Sequence, residues 1–248
     1  MTVVFSLPTP PARWRLGAAC AALLLLSLYG ARAQDVRGGL RVGPAFGFLN
    51  NSATPFVSKP GRAGERFNVR IDGHVGAHLV VPLAAGWAAQ PELQFVRKGG
   101  HRSRAGTDMY VAERYRVSYL QAHALARRDV SLPGPLSLHA VVGLTGAVTT
   151  GARLRRTART ETETTRARVD LMDAGLVRRW DAGLLGGLGL GASVGPGVVA
   201  LALRYNPSVR TVLPTAQPPL RHDVMLVAVS YTLPVWPSSG RAASTAER

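Results

Sequence analysis

Apolar and polar residues alternate with a period of two through most of the chain beyond residue 38. The clearest stretch sets Val69, Ile71, Gly73, Val75, Ala77, Leu79 and Val81 against Asn68, Arg70, Asp72, His74, Gly76, His78 and Val80. Successive side chains of an extended chain point to opposite faces, so this spacing makes a strand with one apolar face, whereas a helix would scatter both sets around its axis. The next stretch repeats the arrangement, with Trp87, Ala89, Pro91, Leu93 and Phe95 opposing Ala88, Gln90, Glu92, Gln94 and Val96. The same reading predicts eight strands, at 38–48, 67–81, 86–98, 114–126, 136–147, 175–188, 197–206 and 222–233. In the fourth, the apolar face changes after Tyr119, which points to a bulge or a slip of register there.

The connections alternate in length. Residues 49–66, 99–113, 148–174 and 207–221 are long and polar, whereas 82–85, 127–135 and 189–196 are shorter. That rhythm predicts an all-β fold: an eight-stranded antiparallel transmembrane barrel in up-and-down order, with short periplasmic turns, long external loops and both ends on the periplasmic side. The Thr/Arg/Glu stretch at 155–168 reads as a mobile external loop.

A soluble sheet alternates in the same way, so two further patterns decide for a membrane. Aromatic residues collect near the strand ends: Trp87 and Tyr231 toward the short turns, and Phe46, Phe48, Phe95, Trp180 and Tyr205 toward the long loops. Rings with one polar edge belong at the headgroup levels of a bilayer, which makes Trp87, Trp180, Tyr205 and Tyr231 the expected interface aromatics. The inner face meanwhile mixes charge with small Gly and Ala, as a narrow cylinder needs if its interior is to be filled. Arg70, Asp72 and Glu92 are expected to form an internal charge cluster across the second hairpin, with His74, His78 and Arg204 as further polar filling of a packed lumen.

Composition narrows the picture further. The 248 residues are 46% hydrophobic and 18% charged, too apolar for a disordered polymer. Only the N-terminal segment is apolar for long enough to approach a bilayer-spanning helix. There, Arg13 and Arg15 precede an apolar run from Leu16 to Leu28, and Ala31-Arg32-Ala33 supplies a small-x-small cleavage site. Residues 1–33 therefore read as a secretory signal peptide, with a mature chain from Gln34, a barrel domain over 34–233 and a polar tail over 234–248. A retained anchor is the weaker reading of so short a run, as is a lipoprotein box around Cys20, which lies inside the run. Cys20 is the only cysteine, so the mature chain forms no disulfide. The formal charge of +16 falls by three when Arg13, Arg15 and Arg32 are removed, and stays strongly basic.

These motifs also carry a resemblance. His74-Val75-Gly76-Ala77-His78-Leu79, followed by Gln90-Pro91-Glu92-Leu93 and the run Leu93-Gln94-Phe95-Val96-Arg97-Lys98-Gly99-Gly100, resembles the second and third strands of the PorT-type outer-membrane beta-barrel family of Bacteroidetes. Tyr119-Leu120-Gln121 is similar to that family's tyrosine–leucine–glutamate strand, with Gln121 in place of the acid and His123 where a proline is usual. The glycine-rich run Asp181 to Gly189 and Leu203-Arg204-Tyr205-Asn206 resemble its sixth and seventh strands. The resemblance covers roughly 38–233 and implies an eight-stranded barrel in the outer membrane of a Gram-negative cell; it supplies no catalytic residues to carry over. Outer-membrane barrels usually end near an aromatic residue, whereas here Tyr231-Thr232-Leu233 is followed by the polar tail.

Candidate chemistry is sparse. His74 and His78 share a face, but neighbouring same-face positions are about 7 Å apart and a metal would need a third ligand from another strand, so no metal site is expected. Ser118 with His123, or Ser137 with His139, are the pairs a lipid-modifying barrel enzyme would use, yet neither has nucleophile–base–orienter spacing. Gly186-Gly187-Leu188-Gly189-Leu190-Gly191 lacks the βαβ context of a nucleotide loop. The basic stretch with Arg153, Arg155, Arg156, Arg159, Arg166 and Arg168 is read first as solvated, with anionic headgroups or polyanions as its candidate contacts; nucleic acid is not expected of an exported chain. The function expected is a non-enzymatic outer-membrane barrel with a structural or loop-mediated role, without cofactor. Its partners would be membrane lipids, the assembly machinery and an unidentified protein at the loops. The alternatives are a lipid-modifying barrel enzyme or a soluble lipocalin-like binder of a small apolar ligand.

Overall fold

The computed structural model describes residues 36–50, 65–106, 108–211 and 221–235; the expected signal peptide and nearly all of the expected tail lie outside them. Among the described residues, ten strands form one antiparallel sheet: β1 (Arg37–Asn50), β2 (Glu65–Asn68), β3 (Arg70–Pro82), β4 (Trp87–Ala105), β5 (Tyr110–Ser131), β6 (Leu136–Arg159), β7 (Thr164–Asp170), β8 (Trp180–Val194), β9 (Gly197–Pro207) and β10 (Arg221–Pro234). Eight of them close a ring in the order β4-β3-β1-β10-β9-β8-β6-β5, with β5 returning to β4. The first and last strands are partners along their length, from Arg37↔Pro234 to Asn50↔Arg221. Closure leaves the ring strands no free edge, which is the condition for a sheet to stand in hydrocarbon.

The two remaining strands revise the predicted outline. The second predicted strand is split, because Asn68 pairs with His101 whereas His74 pairs with Val96, a one-residue slip that makes β2 separate from β3. The stretch 155–168, expected to be a mobile loop, instead forms a hairpin: β7 pairs with the upper part of β6 from Arg153↔Asp170 to Arg159↔Thr164. Most of 99–113 is likewise strand, since β4 and β5 stay paired to Ala105↔Tyr110. The sixth predicted strand starts too early; residues 175–179 belong to the connection, and the strand runs from Trp180 to Val194.

The irregularity expected near Tyr119 is present. The β5–β6 register shifts between Ser118 and Tyr119, which face Gly151 and Thr149, so Thr150 of β6 is the extra residue. Side chains of β6 therefore exchange faces: Thr145, Ala147 and Thr149 are buried below the bulge, Ala152 above it. In β5 the inward set runs unbroken through Tyr115, Val117, Tyr119, Gln121, His123 and Leu125; what changes after Tyr119 is its chemistry, from apolar to polar.

Short turns gather at one end. Between β3 and β4 the chain reverses through Ala85 and Gly86, both at positive φ (53° and 76°), as the right-handed twist of a tight hairpin demands. Gly134 and Gly195 take the same region in the β5–β6 and β8–β9 turns. Val235 donates its backbone N–H to the Val36 carbonyl at 2.9 Å, which brings both described ends to this side. The outer surface is apolar on every ring strand: Leu40, Ile71, Leu93, Leu120, Leu144, Leu188, Leu201 and Val229 are all exposed, Leu40 to 70%. A water-soluble chain does not display an apolar girdle of that extent.

Candidate functional site

The interior is where the sequence concentrates its chemistry. Glu92 of β4 accepts Nη1 of Arg41 from β1 at 2.6 Å and Nη1 of Arg204 from β9 at 2.8 Å, and Gln90 also donates to it. All three charged side chains are almost wholly buried. In the ring order β9 stands four places from β4, directly across the barrel. Arg204 therefore bridges the full width of the lumen to reach Glu92. Lys98, three inward positions beyond Glu92 on β4, does the same, donating from Nζ to Oδ1 of Asn206, the next inward residue after Arg204 on β9, at 2.8 Å. Tyr119 of β5 meets Nδ1 of His222 on β10, again four places away, at 3.2 Å.

Side bonds tie these struts together. Asn206 donates to the Thr145 hydroxyl at 3.0 Å, His123 pairs with the same hydroxyl at 2.8 Å, and His78 pairs with Thr232 at 3.1 Å. Toward the short-turn end Arg127 donates to Gln90 at 3.0 Å and holds Asp129 at 2.7 Å. Room for such side chains comes from glycine on the neighbouring strand. His78 lies over Gly39, where an added Cβ would stand 2.6 Å from the ring, and Arg204 lies over Gly187, where it would stand 2.7 Å from Cγ.

Above the polar network the lumen turns apolar. Leu49, Tyr115, Val117, Tyr119, Ala152, Val224 and Leu226 pack as one cluster, closed by Leu171 with Met172, Leu176 and Val177 from the β7–β8 connection. The β4–β5 hairpin also leans over the mouth: an added Cβ on Gly47 of β1 would stand 2.6 Å from the Gly99 carbonyl oxygen. Tyr115, above the apolar girdle, donates to Glu113 at 2.9 Å, and burial followed by the Glu113 charge raises its phenol above the ordinary range.

The expected internal cluster of Arg70, Asp72 and Glu92 divides. Arg70 and Asp72 pair with each other near the long-connection end, with Arg116 Nε 4.0 Å from Asp72, while Glu92 is held by Arg41 and Arg204. Pairing in the β3–β4 hairpin aligns His78, not Asp72, with Glu92. Arg41, on the inner face of the first strand, is the residue that sequence reasoning did not select; its signal was a lone charge among Gly39, Gly43, Ala45 and Gly47. His74 and His78 are buried on the inner face. Among the interface aromatics, Trp87 and Tyr231 lie beside the short turns; Trp180 and Tyr205 lie toward the opposite rim, where Tyr205 donates to Asp223 at 3.0 Å. Of the serine–histidine pairs, Ser118 and His123 are five residues apart and so face opposite sides of β5, with His123 bound to Thr145; Ser137 and His139 share the inner face of β6, where they lie over Gly191 and Gly189 of β8.

The family described as an outer membrane protein beta-barrel domain matches residues 32–213. No curated protein matches the chain. Among solved structures the chain is similar to the attachment invasion locus protein Ail of Yersinia pestis, at 10% identity over 81% of this chain and 100% of that one, with a TM-score of 0.33. It is similar to Neisserial surface protein A, at 10% identity over 79% and 96%, with a TM-score of 0.42. The outer membrane protein OprG of Pseudomonas aeruginosa follows at 11% identity over 82% and 98%, with a TM-score of 0.38.

Proposed function

Because the chain belongs to the outer membrane protein beta-barrel domain family, we propose that it is a non-conducting, non-enzymatic anchor that holds a rigid set of hairpins above the outer membrane. The observation that carries this reading is the pair of struts across the lumen, Glu92–Arg204 and Lys98–Asn206, set beneath an apolar lid. Moving an ion past them requires parting a buried ion pair and a buried charged hydrogen bond, each costly to break from one side. An interior filled in this way serves rigidity, and leaves the external hairpins as the surface that meets other molecules.

Residues 1–33 deliver the chain to the envelope, and the stretch around Tyr231 is what the assembly machinery reads. Within the family we place the chain in the PorT-type branch, on Gln90-Pro91-Glu92-Leu93 and the glycine-rich run from Asp181 to Gly189. A lipid-modifying enzyme would need a serine and a base together on a face that lipid reaches: Ser118 and His123 lie on opposite faces of β5, and Ser137 and His139, which do share a face, point into the lumen over Gly191 and Gly189. A lipocalin-like soluble binder would bury the apolar girdle that every ring strand exposes. The test is conductance: the refolded barrel in a planar bilayer is expected to leave the baseline current unchanged, and stable unitary steps would overturn the reading.

A further inference from the structure

Strand register above the girdle lines up arginines on the outward face. On β4, Arg97 continues the lipid-facing row of Leu93 and Phe95, and its guanidinium lies 5.8 Å from the centre of the Phe95 ring. One rung higher, Arg116 of β5 is paired with Arg153 of β6. On the rung above, Arg114 of β5, Arg155 of β6 and Arg168 of β7 stand directly side by side. The Thr150 bulge is what keeps Arg153 and Arg155 on this face, since without it β6 would turn them inward. All six side chains are exposed.

Like charges directly opposite one another on a sheet repel. The carboxylates near this strip are Asp170, the cross-strand neighbour of Arg153, and Asp72, 4.0 Å from Arg116. No salt bridge joins Arg114, Arg155 or Arg168 to a carboxylate among the described residues. The Arg116 guanidinium is pushed below its ordinary value, chiefly by Arg70, with Arg97 and Arg155 adding and Asp72 opposing. The strip thus begins at the edge of the acyl layer and carries positive charge that the chain itself does not neutralise. Guanidinium is also the side chain best shaped to grip phosphate in two places at once.

We propose that this outward strip, Arg97, Arg116, Arg153, Arg114, Arg155 and Arg168, binds the phosphorylated glycolipid of the outer leaflet. It deepens the anchor reading and rests on its orientation, with the long hairpins outside the cell. Acyl chains lie against the girdle, and the sugar-borne phosphates fall at the height of the arginine rungs. The chemistry selected is an anion attached to a lipid, because the strip continues upward from the lipid-facing row of Leu93, Phe95 and Arg97.

The test uses the full-length refolded barrel in detergent and titrates it with phosphorylated lipid A and with lipid A stripped of its phosphates. Wild type is expected to prefer the phosphorylated form. R114Q/R155Q/R168Q is expected to weaken binding about fivefold for each guanidinium removed at low ionic strength. R102Q/R104Q/R156Q, which removes the same charge from the opposite face of the same hairpins, is expected to leave binding unchanged. Equal affinity for the two lipids, or equal loss in the two triple variants, would overturn the proposal. So would tighter binding of a soluble sulfated polysaccharide than of phosphorylated lipid A. Heat-modifiable migration checks that each variant is folded, and R155Q alone serves if the triple variant fails that check. Orientation is read separately: Thr160→Cys labelled by an impermeant maleimide on whole cells confirms it, and failure to label would fault the anchor reading itself.

Discussion

Glu92 lies between two guanidinia, and its removal would leave Arg41 and Arg204 buried without their shared counter-charge. Breaking a buried pair from one side costs about 3–5 kcal/mol, whereas replacing the whole set by apolar groups of similar size is close to neutral. Glu92→Leu is therefore expected to lower sharply the temperature at which the barrel loses its compact migration on a gel. Arg41→Met combined with Glu92→Leu and Arg204→Met should recover most of that loss, a non-additivity that independent sites do not show. Unchanged migration of the single variant would count against the bridge. Alternation showed that these side chains point inward. It did not show which meet, because hairpin logic links neighbours in sequence and Glu92 finds Arg204 on the strand diametrically across.

Among the elements, β1 and β10 carry the seam, and it has an irregular centre. Pro44 has no N–H to donate, and the paired register lapses between Val42↔Val229 and Ala45↔Leu226. At Gly43 an added Cβ would stand 1.9 Å from the Val227 carbonyl oxygen. Gly43→Val is expected to prevent sealing, seen as loss of the heat-modifiable form, while Gly134→Ala in an open turn should retain it. The β6–β7 hairpin gives a second test at this scale. A Glu-specific protease should cut at Glu161 or Glu163 in the tip well before trypsin cuts at Arg155 or Arg156 in the paired strand; the reverse order would mean that the stretch is a loop after all. This hairpin escaped the sequence because neither of its faces is apolar at the outer end, so alternation had no contrast to display. The Thr150 bulge was legible only as a disturbance near Tyr119, since one chain alone does not reveal which of two partners holds the extra residue.

For the molecule as a whole, the order of strands, the lipid-facing girdle and the two ends with unequal connections all followed from period-two patterning and loop length. Closure into a barrel was also expected from the sequence; the register of the closing seam and the interior bracing were not, because both depend on pairing between distant strands. The bracing predicts a barrel that passes no measurable current, and the strip of arginines predicts that its affinity for phosphorylated lipid falls as salt rises and screens the charge.

The seam has a consequence for biogenesis. Residue 37 finds its neighbour at residue 234, so although β3 covers one edge of β1 early, the other edge stays open until β10 has been made. A product terminated before Arg221 would keep two raw margins, on β1 and β9, both ready to pair with another chain. Completion of the ring therefore turns on the fourteen residues of β10.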